Sequence, residues 1–101
     1  MNQVAQNHVV LGARIAEVSA MRFTPAGVPA LEFRLEHESE VTEAGQQRQV
    51  KVAVKAVAFG SVAETLVRQA IGSEWRFTGF LATPRNGKYP VLHVQSFVQS
   101  S

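Results

Sequence analysis

The sequence contains no cysteine and no aspartate. Without cysteine there are no disulfides, no thiolate metal sites and no thiol catalysis. Without aspartate a Ser-His-Asp triad is impossible, and a Ser-His-Glu version finds no nucleophile elbow. A glycine-rich phosphate loop is also missing. Gly27, Gly45, Gly60, Gly72, Gly79 and Gly87 stand singly, where they read as turns or strand bends. The three histidines, His8, His37 and His93, never fall at i, i+2 or i, i+4 spacing, so no metal and no other cofactor is expected. No apolar run approaches the ~18 residues of a membrane span. The polar first eight residues are unlike a signal peptide. These absences point away from an enzyme, a membrane protein and a small-molecule substrate. The expectation is a soluble cytoplasmic protein that binds something.

What is present is a globular composition. Hydrophobic residues make up 46% of the 101 and charged residues 18%. That length is one domain, residues 1–101, with an ordered core over about 8–99. A domain this small buries only about 60–65% of its unfolded surface, so self-association would help it. The net charge of +2 hides two poles. Between 32 and 43 five glutamates (32, 36, 38, 40, 43) face one base, Arg34, for a net of −4. Residues 44–101 hold seven bases against two acids, for a net of +5. A basic pole attracts a polyanion; an acidic pole repels it or attracts a protein.

The hydrophobic pattern has period two. Val9, Leu11, Ala13 and Ile15 alternate with Val10, Gly12, Arg14 and Ala16, the pattern of a half-buried strand. Gly12 inside it predicts a bulge or bend. Strand character resumes at Met21 and Phe23, and Thr24-Pro25-Ala26-Gly27 reads as a turn. From Ala30 to Glu38, Leu31, Phe33, Leu35 and His37 share one face, and the glutamates with Arg34 share the other. Residues 39–48 are polar and read as the tip of a long hairpin. The strand from Gln49 to Phe59 ends in Val57-Ala58-Phe59, an apolar end expected to be buried on both sides. Ser61-Val62-Ala63-Glu64 reads as a capping box, followed by an apolar stripe through Ile71 and by Gly72, which predicts a helix of about three turns. Two strands follow. One starts near Trp75 and Phe77, with Phe80 on the opposite face. The other runs from Tyr89 to Gln99, after the turn Pro84-Arg85-Asn86-Gly87. Val10, Phe80 and Phe97 are candidates for an outer apolar surface that would make a homodimer.

Three strands, a helix and two strands make the order of an all-β, five-stranded OB-fold Greek-key barrel, with one capping helix between strands three and four. The faces of strands two and three and the neighbouring loops form the usual ligand surface of that fold. The candidate binding residues are basic. Lys51 and Lys55 share a face of the third strand, with Arg48 along the same strand. Arg22 and Arg34 precede them, and Arg85 and Lys88 sit in the last turn beside Tyr89. A basic groove with an adjacent ring suits single-stranded nucleic acid, the charges tracking the backbone and the ring stacking a base.

The run from Val57 through Phe59, Gly60 and Ser61 to Glu64 resembles the end of the third strand and start of the helix in bacterial single-stranded DNA-binding proteins. Thr24 to Pro29, Phe33-x-Leu35-Glu36-His37, Glu43-Ala44-Gly45, Arg48-Gln49, Gly79-Phe80-Leu81 and Val91-Leu92-His93 resemble a sister family, primosomal replication protein N (PriB). The resemblance runs from about His8 to Gln99. It implies a dimeric OB-fold that binds single-stranded DNA in the restart of stalled replication forks. The partners it implies are the PriA helicase and a DnaT-type primosomal protein. Arg22, Arg48, Arg85 and Lys88 occupy places comparable to DNA-contacting basic residues of that family. Its better-known branch carries a Phe in the long hairpin and a Trp at the start of the third strand. This chain has Gln46 and Lys51 there, which points to a mainly electrostatic mode. An OB-fold adaptor for proteins, with weak or vestigial nucleic-acid binding, is the alternative that the acidic 36–43 segment suggests.

Overall fold

The computed structural model describes residues 5–99. Six strands and one short helix follow in the order β1 (Val9–Val18), β2 (Arg22–Phe23), β3 (Pro29–Glu43), β4 (Gln46–Phe59), α1 (Ser61–Leu66), β5 (Glu74–Ala82) and β6 (Val91–Val98). Their spatial order is β1-β5-β6-β4-β3-β2, and β1 also pairs with β3. The last pairing closes a five-stranded barrel to which β2 adds a two-residue edge. This is the OB-fold, with α1 between β4 and β5.

The closure depends on β1. Its first half pairs with β5, from Val9↔Gly79 to Arg14↔Glu74. Its second half pairs with β3, from Arg14↔Glu36 to Val18↔Phe33. The register shift lies between Ile15 and Glu17, so the bulge falls at Ala16. The bulge expected at Gly12 is absent; Gly12 keeps regular register opposite Arg76. Closure on the far side is parallel, Ala56↔Leu92 and Val57↔His93 joining β4 to β6.

The alternation read in the sequence fills the barrel. Ile15, Leu31, Leu35, Leu66, Phe77 and Leu92 are fully buried, each contributing about 1.5–3 kcal/mol of hydrophobic stabilisation. Ala13, Phe33, Ala56, Ala58, Ala63 and Val94 complete the cluster. Phe97 belongs here too. It packs against Phe77 and edge-on to Trp75, with ring centroids 6.0 and 5.1 Å apart. Its place on an outer apolar surface is therefore corrected, because Phe97 sits opposite buried Phe77 and shares its face. Gly79 also faces inward, at the β5–β6 register shift. A Cβ there would lie 1.8 Å from the His93 carbonyl oxygen, so only glycine admits this close strand approach.

Three local expectations are corrected. The polar stretch 39–48 is the tip of a long hairpin, as read, but the strands run on into it: β3 and β4 stay paired to Glu43↔Gln46, past the strand ends expected at Glu38 and Gln49. The turn is Ala44-Gly45 alone, both with positive φ, as a two-residue I′ hairpin demands. The hairpin thus projects from the barrel as an arm, exposed on all residues from 40 to 49.

The helix is the second correction. It spans six residues, not three turns. Ser61 is inside it, and Gly60 is the N-cap at φ 70°, ψ −140°, with no side-chain cap. Past Leu66 the bonds tighten to Arg68 N–H→Thr65 O and Gln69 N–H→Leu66 O. The Arg68 and Gln69 side chains donate to the carbonyls of Glu64 and Thr65. The chain must turn there because Gly72 N–H donates to Ile15 O and Ile15 N–H to Ser73 O, which continues the pairing with β1. Tertiary pairing overrides the apolar stripe and leaves Ile71 60% exposed. The helix still plugs the barrel end, through Ala63 and Leu66.

The third correction is Phe59. Val57 and Ala58 are buried, but Phe59 is 42% exposed. It lies on the outer face of the barrel.

Candidate nucleic-acid interface

Residues opposite one another in a ladder share a face. The outer face of β3–β4 therefore carries the pairs Ala30–Phe59, Glu32–Val57, Arg34–Lys55, Glu36–Ala53 and Glu38–Lys51. Arg22 pairs with Ala30 and joins the first row. His93 lies beside Val57 and opposite Phe80, and so extends the second row.

Three of these rows and the β5–β6 turn enclose a groove of about 480 Å³. Arg22 and Lys55 stand on the strand side and Arg85 on the turn side. Ala56, Val57, Val91 and His93 line it, with Phe59 and Glu32. The turn Pro84-Arg85-Asn86-Gly87 is held by Gly87 N–H→Pro84 O, 3.0 Å, as its sequence predicts. The first turn is held likewise, by Gly27 N–H→Thr24 O at 2.8 Å. It sets β2, and hence Arg22, beside β3.

The rings of Phe59, His93 and Phe80 form a stack on this outer face. Phe59 and His93 centroids are 6.0 Å apart at 29°, and those of Phe80 and His93 4.8 Å apart at 16°. Phe80 thus faces outward, as its alternation with Trp75 and Phe77 predicts. The stack holds Phe59 in place while part of its ring stays open to solvent. Phe59 is the residue that sequence reasoning missed. The signal available was its place opposite Ala30, next to Arg22, which requires the β3–β4 register.

The eight predicted binding residues do not come together as one set. Arg22, Lys55 and Arg85 do. Lys88 and Tyr89 are exposed on the same β5–β6 loop, Tyr89 by 77%, but do not line the groove. Arg34 is Lys55's cross-strand neighbour, yet its guanidinium is engaged by Glu17 at 3.3 Å and Glu36 at 3.7 Å. Lys51 borders a separate depression with Arg14, Glu36, His37 and Glu38. Arg48 lies opposite Val41, on the other face of the arm, in an ion pair with Glu43. Lys51, Lys55, Arg85 and Lys88 have no ion-pair partner among the described residues.

His37 is satisfied between the Gly12 carbonyl and the Ser39 hydroxyl, the latter at 2.8 Å. No group of three or more His, Asp or Glu able to hold a metal exists among the described residues. No helix among them is long and apolar enough to cross a membrane.

A closed Greek-key barrel with a charged, ring-lined groove across its second and third major strands is an oligomer-binding module of the OB class. Residues 7–96 match the model of a family described as another single-strand binding protein family. The replication restart protein PriB of Bordetella pertussis is 49% identical over 90 residues, covering 88% of this chain and 84% of its own. PriB of Nitrosomonas europaea is 36% identical over 95 residues, 93% and 88% of the two chains. The structure of PriB from Ralstonia solanacearum superimposes with a TM-score of 0.87 at 35% identity, over 96% of this chain and all of that one. The chain belongs to the PriB family of replication restart proteins.

Proposed function

We propose that this chain binds single-stranded DNA through the groove between β2–β4 and the β5–β6 turn, as a cytoplasmic accessory of replication restart. One observation carries the reading: Arg22, Lys55 and Arg85 converge on a partly exposed Phe59 backed by His93 and Phe80. The cations track phosphates and the open ring stacks a base. Lys88 and Tyr89 extend the contact along the loop. Arg34 and Lys51 lie further out on the same face, Arg34 held by Glu17 and Glu36 and Lys51 opposite Glu38, and Arg48 lies on the other face of the arm, so these three stay outside the contact. Membership in the single-strand-binding and PriB families supports this function. The homodimer, the PriA helicase and a DnaT-type protein are the proposed partners. The first half of β1 supports the dimer. Val9–Ala13 pair with β5 on one side and have no strand on the other among the described residues, and Val10 is 54% exposed. Such an edge invites a second strand.

The test is a fluorescence titration of labelled oligothymidylate at several salt concentrations. Binding that weakens linearly in log K against log[salt], and that falls with Lys55→Ala and Arg85→Ala, is expected. Absence of binding at low salt would overturn the reading. The adaptor alternative draws on the ion pairs that occupy Arg14, Arg22, Arg34 and Arg48. It would lead if the helicase bound this chain with no DNA bound by either groove or arm. Sedimentation should give twice the chain mass of 11.0 kDa; a species of single mass at micromolar concentration would contradict the dimer.

A further inference from the structure

One residue of the groove opposes the charge around it. Glu32 stands on the outer face of β3, between Arg22 on β2 and Val57 on β4. Its Oε2 lies 3.2 Å from an Arg22 guanidinium nitrogen. It lines the groove together with Lys55 and Arg85, and also the neighbouring depression with Glu17 and Arg34. Glu32 therefore sits where the two depressions meet, on the path a strand would follow from one to the other. Both members of the pair are about half exposed. An ion pair so exposed contributes little to folding, so its main consequence falls on what the groove can hold.

We propose that Glu32 is an affinity-limiting residue of this groove: it neutralises Arg22 in the free protein, and a phosphate of the incoming strand must displace it from the guanidinium. This rests on the reading of the groove as a single-strand site. The carboxylate then lowers affinity twice, by competing for Arg22 and by repelling the phosphate backbone where the path narrows. Such a site holds a strand and lets it go readily, because the internal anion replaces the departing phosphate without waiting for solvent ions.

The experiment is a salt series of oligothymidylate titrations on wild type, Glu32→Gln, Glu40→Gln, Arg22→Ala and the Arg22→Ala/Glu32→Gln double variant, with thermal melts confirming the fold. Glu40→Gln removes the same charge roughly 25 Å away along β3. Glu32→Gln should tighten binding roughly three-fold at low salt, clearly more than Glu40→Gln. It should steepen the salt slope by up to about 0.7, because no displaced carboxylate then takes up a cation as the phosphate's counterion leaves. In the Arg22→Ala background most of that gain should vanish. A gain no larger than that of Glu40→Gln, or one undiminished without Arg22, would overturn the role of Glu32 and leave the groove standing. Failure of both wild type and Glu32→Gln to bind would overturn the groove as well.

Discussion

Lys55 and Arg48 lie on the same strand and meet opposite fates. Lys55 opens onto a groove, with no ion-pair partner among the described residues and a partly exposed aromatic stack nearby. Arg48 sits on the arm, paired with Glu43 across the hairpin turn. The same division runs along the whole β3–β4 ladder. Toward the barrel, Arg22, Lys55 and Arg85 crowd around one opposing carboxylate, Glu32. Toward the tip, Glu36, Glu38, Glu40 and Glu43 outnumber Lys51 and Arg48. A count of basic residues thus says little about where a polyanion binds; the count after internal pairing says more. The exposed pairs add little to stability, so the acidic arm has its main effect on what approaches it.

The strongest way to break this contrast is to disrupt the barrel wall that carries the groove. Gly79→Ala should do so. Its Cβ collides with the His93 backbone, so β5 and β6 cannot keep their register. We expect a loss of about 3 kcal/mol or more, read by thermal or urea unfolding. The next effect is on binding. Phe59→Ala should cost about 1–3 kcal/mol of DNA affinity, the value of one stack, with little change in melting temperature because the ring is partly exposed. Val41→Ala, about equally exposed on the arm, should leave affinity unchanged.

Smaller effects sharpen the comparison. Lys55→Ala and Arg85→Ala should each reduce the single-strand salt slope by about 0.7, while Arg48→Ala should leave it near the wild-type value. An equal loss from Arg48→Ala would move the site onto the arm. The smallest effect concerns the helix. Ser61 lies inside α1 and makes no cap, so Ser61→Ala should change unfolding free energy by no more than ~0.5 kcal/mol. A loss of about 1 kcal/mol would restore the capping box read from the sequence.

The barrel was legible because strand alternation is a local signal. Leu31, Phe33 and Leu35 announce an inward face whatever they pair with. The turns at Thr24–Gly27 and Pro84–Gly87 were legible for the same reason. The helix length was not, because what ends it is the backbone of Ile15, nearly sixty residues earlier in the chain. Phe59 was misread for a related reason. An apolar trio at a strand end looks buried until the parallel pairing of Val57 with His93 shows which side β6 covers. Half of the site, Arg22, Lys55 and Arg85, could be named from residue type. Its selection from eight candidates could not, since the pairing of Arg34 with Glu17 and the placing of Arg48 on the opposite face depend on cross-strand register.

The account's central claim is that a single strand lies in the groove and not along the arm. Amide chemical-shift mapping with a short oligothymidylate tests it most directly. Shifts should concentrate at residues 55–59, 85–88 and 93, and amides at 40–49 should stay in place. Perturbations centred on 40–49, with the groove unmoved, would contradict it.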